Sequence, residues 1–168
     1  MPAIIDLQIA DPAAGQPSAM QCRQWVGAAL AMADQCGEVE LTIRIVAADE
    51  MTRLNDTYRG KARPTNVLSF PADLPPELDI GLLGDIVVCH TVVADEAKQQ
   101  NKPLEHHWAH MIIHGTLHLL GYDHIDDDDA EVMESLEIAA LATLNIPNPY
   151  NHSPHSEDST QNYERRSI

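Results

Sequence analysis

Basic residues are scarce in this 168-residue chain: ten Lys and Arg stand against 26 Asp and Glu, for a formal net charge of −16. That balance opposes broad binding to nucleic acid, because phosphate recognition normally needs a basic face. Long apolar runs are also missing. None approaches the ~20 residues that span a bilayer, and no basic-then-apolar leader opens the chain, so a soluble, cytoplasmic protein with no membrane partner is expected. Cysteine is sparse and scattered: Cys22, Cys36 and Cys89 include no CxxC pair. This argues against a disulfide framework and fits reduced thiols, with Cys89 reading as a small buried hydrophobe on an apolar strand. A chain of this length forms one domain able to bury roughly 70% of its unfolded surface.

What the sequence does contain is a cluster of histidines. His114 and His118 are four residues apart, so on a helix their imidazoles share one face and can reach one ion. Gly121 suits the left-handed conformation that ends a helix, and His124 then arrives from the turn. Three imidazoles with a fourth position left for water form the open arrangement of a catalytic zinc. His110 also precedes His114 by four residues. It lies eight residues from His118, however, ~12 Å along a helix, so both cannot bind one ion and His124 is the better third ligand. His106, His107 and His110 are expected to pack or face solvent. The frame HxxxHxxGxxH matches that of the metzincin peptidases, whose general base is a glutamate after the first histidine. Here that residue is Gly115, which cannot take a proton.

The few cations are not evenly spread. Arg53, Arg59, Lys61 and Arg63 fall within eleven positions that hold a single acid, Asp56. Such a patch on an acidic body can bind phosphate while the remaining charge limits non-specific contacts; a solvated helix face is the plainer alternative.

Periodicity gives alternating strands and helices. Residues 4–9 place Ile5, Leu7 and Ile9 on one face of a strand. A helix is expected over 18–36, capped by Ser18 and stopped by Gly37, with Trp25, Val26, Ala29, Leu30 and Met32 facing inward. Val39, Leu41, Ile43 and Ile45 alternate as a second strand. Asp49 would cap a helix through Tyr58 closed by Gly60, with Tyr58 in the core. Strands are expected over 66–70 and 83–89, separated by a proline-rich loop. Thr91 would cap a helix to Gln100, and Pro103 opens the helix of His114 and His118. A last helix over 127–144, started by the acidic run 126–129, turns Val132, Leu136, Ala139 and Ala140 inward. The polar tail 146–168 is expected to be disordered, which leaves one domain over 1–145. The result is an α+β domain whose first strand–helix–strand unit is a parallel pair. The order of the other strands does not follow from the pattern.

Three separated segments carry a resemblance. Residues 54–71 read Leu-Asn-Asp-Thr-Tyr-Arg-Gly-Lys-Ala-Arg-Pro-Thr-Asn-Val-Leu-Ser-Phe-Pro. Leu83-Gly84-Asp85-Ile86 follows, and 114–124 reads His-Gly-Thr-Leu-His-Leu-Leu-Gly-Tyr-Asp-His. In residue type, order and spacing they resemble the YbeY family of bacterial endoribonucleases. The motifs are specific over about 50–125, the layout agrees to about 145, and the N-terminal strand and helix match in pattern rather than identity. The resemblance implies a mixed four-stranded sheet with helices packed on it and one zinc ion on His114, His118 and His124. It also implies cleavage of single-stranded RNA, in maturation of the 16S rRNA 3′ end and in ribosome quality control, with the ribosome or its small subunit as partner rather than DNA. The family's functional arginine corresponds to Arg59.

The residues themselves agree with that chemistry. Zinc on three imidazoles lowers the pKa of bound water to ~7, and a guanidinium forks onto a phosphate without losing its charge. Arg59 is therefore the candidate phosphate clamp, expected to be exposed; an ion pair with Asp56 is its plainer role. Lys61 and Arg63 are candidates for holding the RNA backbone. Asp85 could orient a ligand histidine or make a strand-end hydrogen bond, and Asp123 could brace the turn or move a proton. Three functions remain open: a zinc-dependent endoribonuclease, a metzincin-like peptidase, and a ribosome-associated protein with a structural metal.

Overall fold

The computed structural model describes residues 3–35, 37–75, 81–123 and 125–150. Among them the elements run β1 (Ala3–Ile9), α1 (Ala19–Met32), β2 (Val39–Val46), α2 (Ala48–Arg59), β3 (Val67–Pro71), β4 (Leu82–Cys89), α3 (His90–Gln99), α4 (Leu104–Leu119) and α5 (Asp127–Thr143). The strands form one sheet in the order β1-β2-β4-β3. The β1–β2 and β2–β4 pairs are parallel and β3–β4 is antiparallel. The α+β class, the parallel first unit and the mixed four-stranded sheet are all as expected.

Strand alternation divides the interior in two. Leu41, Ile43, Ile45, Ile86 and Val88 join Trp25 and Leu30 of α1, Trp108, Ile112 and Ile113 of α4 and Leu141 of α5 in the main core. Val46, Leu68, Val87 and Cys89 join Met51 of α2 in a smaller cluster on the other face. Each fully buried aliphatic side chain is worth about 1.5–3 kcal/mol, and so many on α4 hold the histidine helix firmly against the sheet.

Local chemistry sets the element ends. Ser18 Oγ accepts from Gln21 N–H at 3.1 Å while the Gln21 side chain accepts from Ser18 N–H at 2.9 Å, a reciprocal capping box. Helix α1 then stops at Met32 rather than 36, because Asp34 adopts a left-handed φ of 55°. Asp126 accepts from Asp129 N–H at 2.9 Å and caps α5, with Asp127, Asp128 and Asp129 in its first turn. There the helix dipole favours acids. Helices α2 and α3 begin earlier than expected, at the caps Ala47 and Cys89, so Asp49 and Thr91 lie inside the first turn.

Two expectations about α5 and the tail need correction. The buried residues of α5 are Met133, Glu137, Ala140 and Leu141; Ala140 is inward as expected and Leu136 packs half-buried against the core, but Val132 is 52% exposed and Met133 takes its place. The packed chain also continues past 145. Ile146 is buried in the main core, and the Tyr150 hydroxyl donates to Glu137. Residues 151–168 of the expected tail lie outside the described residues.

Candidate metal centre

Helix α4 is surrounded by protein along most of its length. His107, His110 and His114 are 2%, 5% and 8% exposed, and His118, nearer the end, is half-buried. The His114 and His118 rings lie 4.9 Å apart between centroids, as a one-turn spacing requires. Gly121 then takes a φ of 103°. Its N–H donates to the His118 carbonyl at 3.0 Å, and Tyr122 N–H donates to the Leu117 carbonyl at 3.1 Å. Paired bonds of this kind end a helix on a left-handed glycine and reverse the chain. Tyr122 packs onto the main core and Asp123 is exposed. The structure thus brings His114 and His118 together and makes the expected turn; His124 lies outside the described residues.

Glu137 of α5 completes a buried constellation that sequence reasoning missed. Its Oε1 is 2.8 Å from His110 Nε2 and its Oε2 is 2.5 Å from His114 Nδ1. The Tyr150 hydroxyl donates to the same Oε1 and lies 3.2 Å from His110 Nε2. A fully buried carboxylate is tolerable only when its lone pairs are engaged, and three groups converge on this one. Burial pushes the Glu137 carboxyl up, but the neighbouring His114 and the hydrogen bonds from His110 and His114 outweigh it. The carboxyl is held below its usual range. Burial takes His110 down to about 4 against the pull of Glu137, so His110 is neutral at pH 7. The only sequence signal was a glutamate on the apolar phase of α5.

The donor set fits a metal. His110, His114 and Glu137 offer ligand atoms all within 4.8 Å of one another, so this group could hold an ion, and imidazole with carboxylate is a usual zinc set. An ion seated between Glu137 and the two rings would displace the hydrogen bonds just described. Ligation of His114 through Nε2 would keep them. Metal-bound histidines usually give their other ring N–H to a carboxylate in this way.

A second buried network braces the same helix. Asn66 Nδ2 donates to both Glu96 oxygens at 3.2 Å, and its Oδ1 accepts from Val67 N–H at 2.7 Å. His107 Nε2 is 2.7 Å from Glu96 Oε1, and burial pulls His107 below its ordinary value despite that partner. Asn66 therefore ties the start of β3 to α3 and α4.

The structure also explains Gly115. A Cβ there would lie 2.9 Å from Ile86 Cγ2 and 3.3 Å from both Ile86 Cδ1 and Ser69 Oγ, and Ser69 Oγ donates to the Gly115 carbonyl at 3.2 Å. The backbone of α4 approaches the sheet so closely that even a methyl would require Ile86 to shift. A glutamate general base has no room at this position.

The basic segment behaves differently from its expectation. Arg59, the last residue of α2, is half-buried rather than exposed; Lys61 is half-buried and Arg63 exposed. Arg53 pairs with Asp49 at 3.9 Å in the open, a contact worth little. Tyr58 is not in the core. It is 64% exposed and meets Phe70 edge-on, centroids 5.0 Å apart. Asp85 is exposed on the α2 side of the sheet, lining an open groove of about 500 Å³ with Arg44, Glu50, Tyr58 and Phe70. Strand alternation turns it away from α4, the helix of His114 and His118.

A family model described as Endoribonuclease YbeY matches residues 11–145. The chain belongs to the YbeY family. A Chromohalobacter salexigens protein named Endoribonuclease YbeY is 55% identical over 148 residues, covering 87% of this chain and 96% of that protein. A Cellvibrio japonicus protein of the same name is 52% identical over 153 residues, covering 91% and 86%. A solution structure from Thermotoga maritima shares the fold with a TM-score of 0.54 at 27% identity, covering 88% of this chain and 97% of that one. Among the described residues, no helix is long and apolar enough to cross a membrane.

Proposed function

We propose that this YbeY-family chain is a zinc-dependent, single-strand-specific endoribonuclease of the cytoplasm. It acts in maturation of the 16S rRNA 3′ end and in ribosome quality control, on or near the small subunit. The observation that carries the metal reading is the His114 ring, with Nδ1 committed to buried Glu137 and its partner His118 one turn away. His114, His118 and His124 would hold the ion. When bound, zinc supplies Lewis acidity and lowers the pKa of a water near the scissile phosphate. Arg59 would clamp the phosphate with a planar fork and offset charge developing on its oxygens, with Lys61 and Arg63 holding the backbone on either side. The name carried by the two close relatives supports RNA as the substrate. Peptide hydrolysis is disfavoured because the position of the metzincin base is filled by Ile86 and Ser69.

The test is direct. The purified protein should cut a single-stranded RNA, lose that activity to a chelator, regain it with zinc, and leave casein intact. Casein cleavage without RNA cleavage would favour the peptidase. Neither activity, with the chelator unfolding the protein, would favour a structural metal. In cells lacking the protein, 16S rRNA with an unprocessed 3′ end should accumulate.

A further inference from the structure

The metal reading uses one oxygen of Glu137, the one on His114, and gives no part to its other oxygen or to the tyrosine beyond the last helix that reaches it. Glu137 is 0% exposed and sits between two histidines, only one of which, His114, belongs to the proposed ligand set. Tyr150 reaches the carboxylate from a segment fixed in place. Ile146 is buried in the main core with its N–H on the Leu141 carbonyl at 3.0 Å, and the Tyr150 ring meets His110 edge-on at 5.4 Å. The chain therefore returns across α5 to deliver one hydroxyl to one carboxylate oxygen.

We propose that Glu137 and Tyr150 are positioning residues for the metal centre. Tyr150 and His110 orient the carboxylate through Oε1, and Oε2 holds the proton on His114 Nδ1, so that Nε2 is kept as the ligand atom. A carboxylate on the second ring nitrogen fixes tautomer and ring orientation and makes the first nitrogen more basic. The segment after α5 is by this account part of the metal centre. The inference rests on His114 binding metal through Nε2.

The experiment uses the full chain, stripped of metal, as wild type, Glu137→Gln and Tyr150→Phe. Glu137→Gln keeps the volume and a hydrogen-bonding group but loses the charge; Tyr150→Phe loses one hydroxyl. Zinc affinity is read by competition with a chromophoric chelator, ligand geometry by the visible bands of the cobalt-substituted protein, and folding by circular dichroism. Glu137→Gln should bind zinc about 10–100-fold more weakly and Tyr150→Phe roughly 2–10-fold more weakly, both folded and both with altered cobalt bands. A merely structural role would lower melting temperature without moving affinity or spectrum, and that result overturns the proposal. Wild-type affinity in Tyr150→Phe alone also overturns it. Zinc binding lost in His110→Ala but kept in His118→Ala would instead make Glu137 a ligand and sink the three-histidine reading as well. Binding sensitive to His118→Ala but indifferent to Glu137→Gln would sink only this proposal.

Discussion

Two helical glycines offer a matched test of how closely α4 lies against the sheet. Gly27 in α1 has nothing within 4 Å of a built Cβ, whereas at Gly115 the added methyl would press on Ile86 Cγ2 at 2.9 Å and on Ser69 Oγ at 3.3 Å. Replacing glycine by alanine in an unstrained helix interior stabilises by about 0.8–1 kcal/mol. Gly27→Ala should show that gain. At Gly115 the same gain is opposed by overpacking, about 1–3 kcal/mol for an extra methyl in a filled core. Ile86 is fully buried and β-branched, so its Cγ2 cannot swing aside, and the cost falls toward the upper half of that range. The net expectation is destabilisation by about 1–2 kcal/mol, a fall of roughly 2–8 °C in melting temperature for a chain of this size. Urea and thermal unfolding of the two variants beside wild type give the answer. A rise in stability for Gly115→Ala, matching Gly27→Ala, would refute the close approach and with it the argument that no general base fits there.

The other predictions concern charge. Because burial holds His107 below its ordinary value, the unfolded chain takes up a proton below pH ~6.5 that the folded chain refuses. Stability should therefore fall as pH drops from ~6.5 towards the folded value, by at most ~1.4 kcal/mol per pH unit. In urea titrations of the metal-free protein at pH 7.5, 6.5 and 5.5, His107→Gln should flatten part of that slope; an unchanged slope contradicts the assignment. Arg59→Glu should lower cleavage of single-stranded RNA by about 100-fold or more at unchanged zinc content, and Arg59→Lys should recover only part of the rate because the ammonium lacks the fork. Near wild-type cleavage by folded, zinc-loaded Arg59→Glu would remove Arg59 from the mechanism.

Much of the fold follows from local signals that tertiary packing does not override. Ser18 with Gln21, Asp126 with Asp129 and Gly121 after His118 each satisfy the backbone of a helix end, so those ends are legible. Where several apolar residues crowd one helix, phase is ambiguous. In α5 both Val132 and Met133 suit a core, and only packing against the main core beside α1 and α4 selects Met133. Glu137 was illegible for a related reason: a glutamate reads as solvated unless the histidines that neutralise it are already known to face it. Tyr150 lay in a polar, proline-rich stretch whose composition resembles disorder, and its single docking hydroxyl leaves no periodic trace. Tyr58 shows the converse failure. Its spacing from Met51 and Asn55 points inward, but those two fill the buried face of α2, and the ring ends on Phe70 at the rim.

The central claim is that His114 works with His118, rather than with His110, to hold a metal that cuts RNA. Zinc content and cleavage of a single-stranded RNA, measured together for wild type, His118→Ala and His110→Ala, test it most directly. The account predicts that His118→Ala loses both zinc and cleavage while His110→Ala, if folded, retains most of its zinc. Zinc retained in His118→Ala and lost in His110→Ala would contradict it and place the ion among His110, His114 and Glu137.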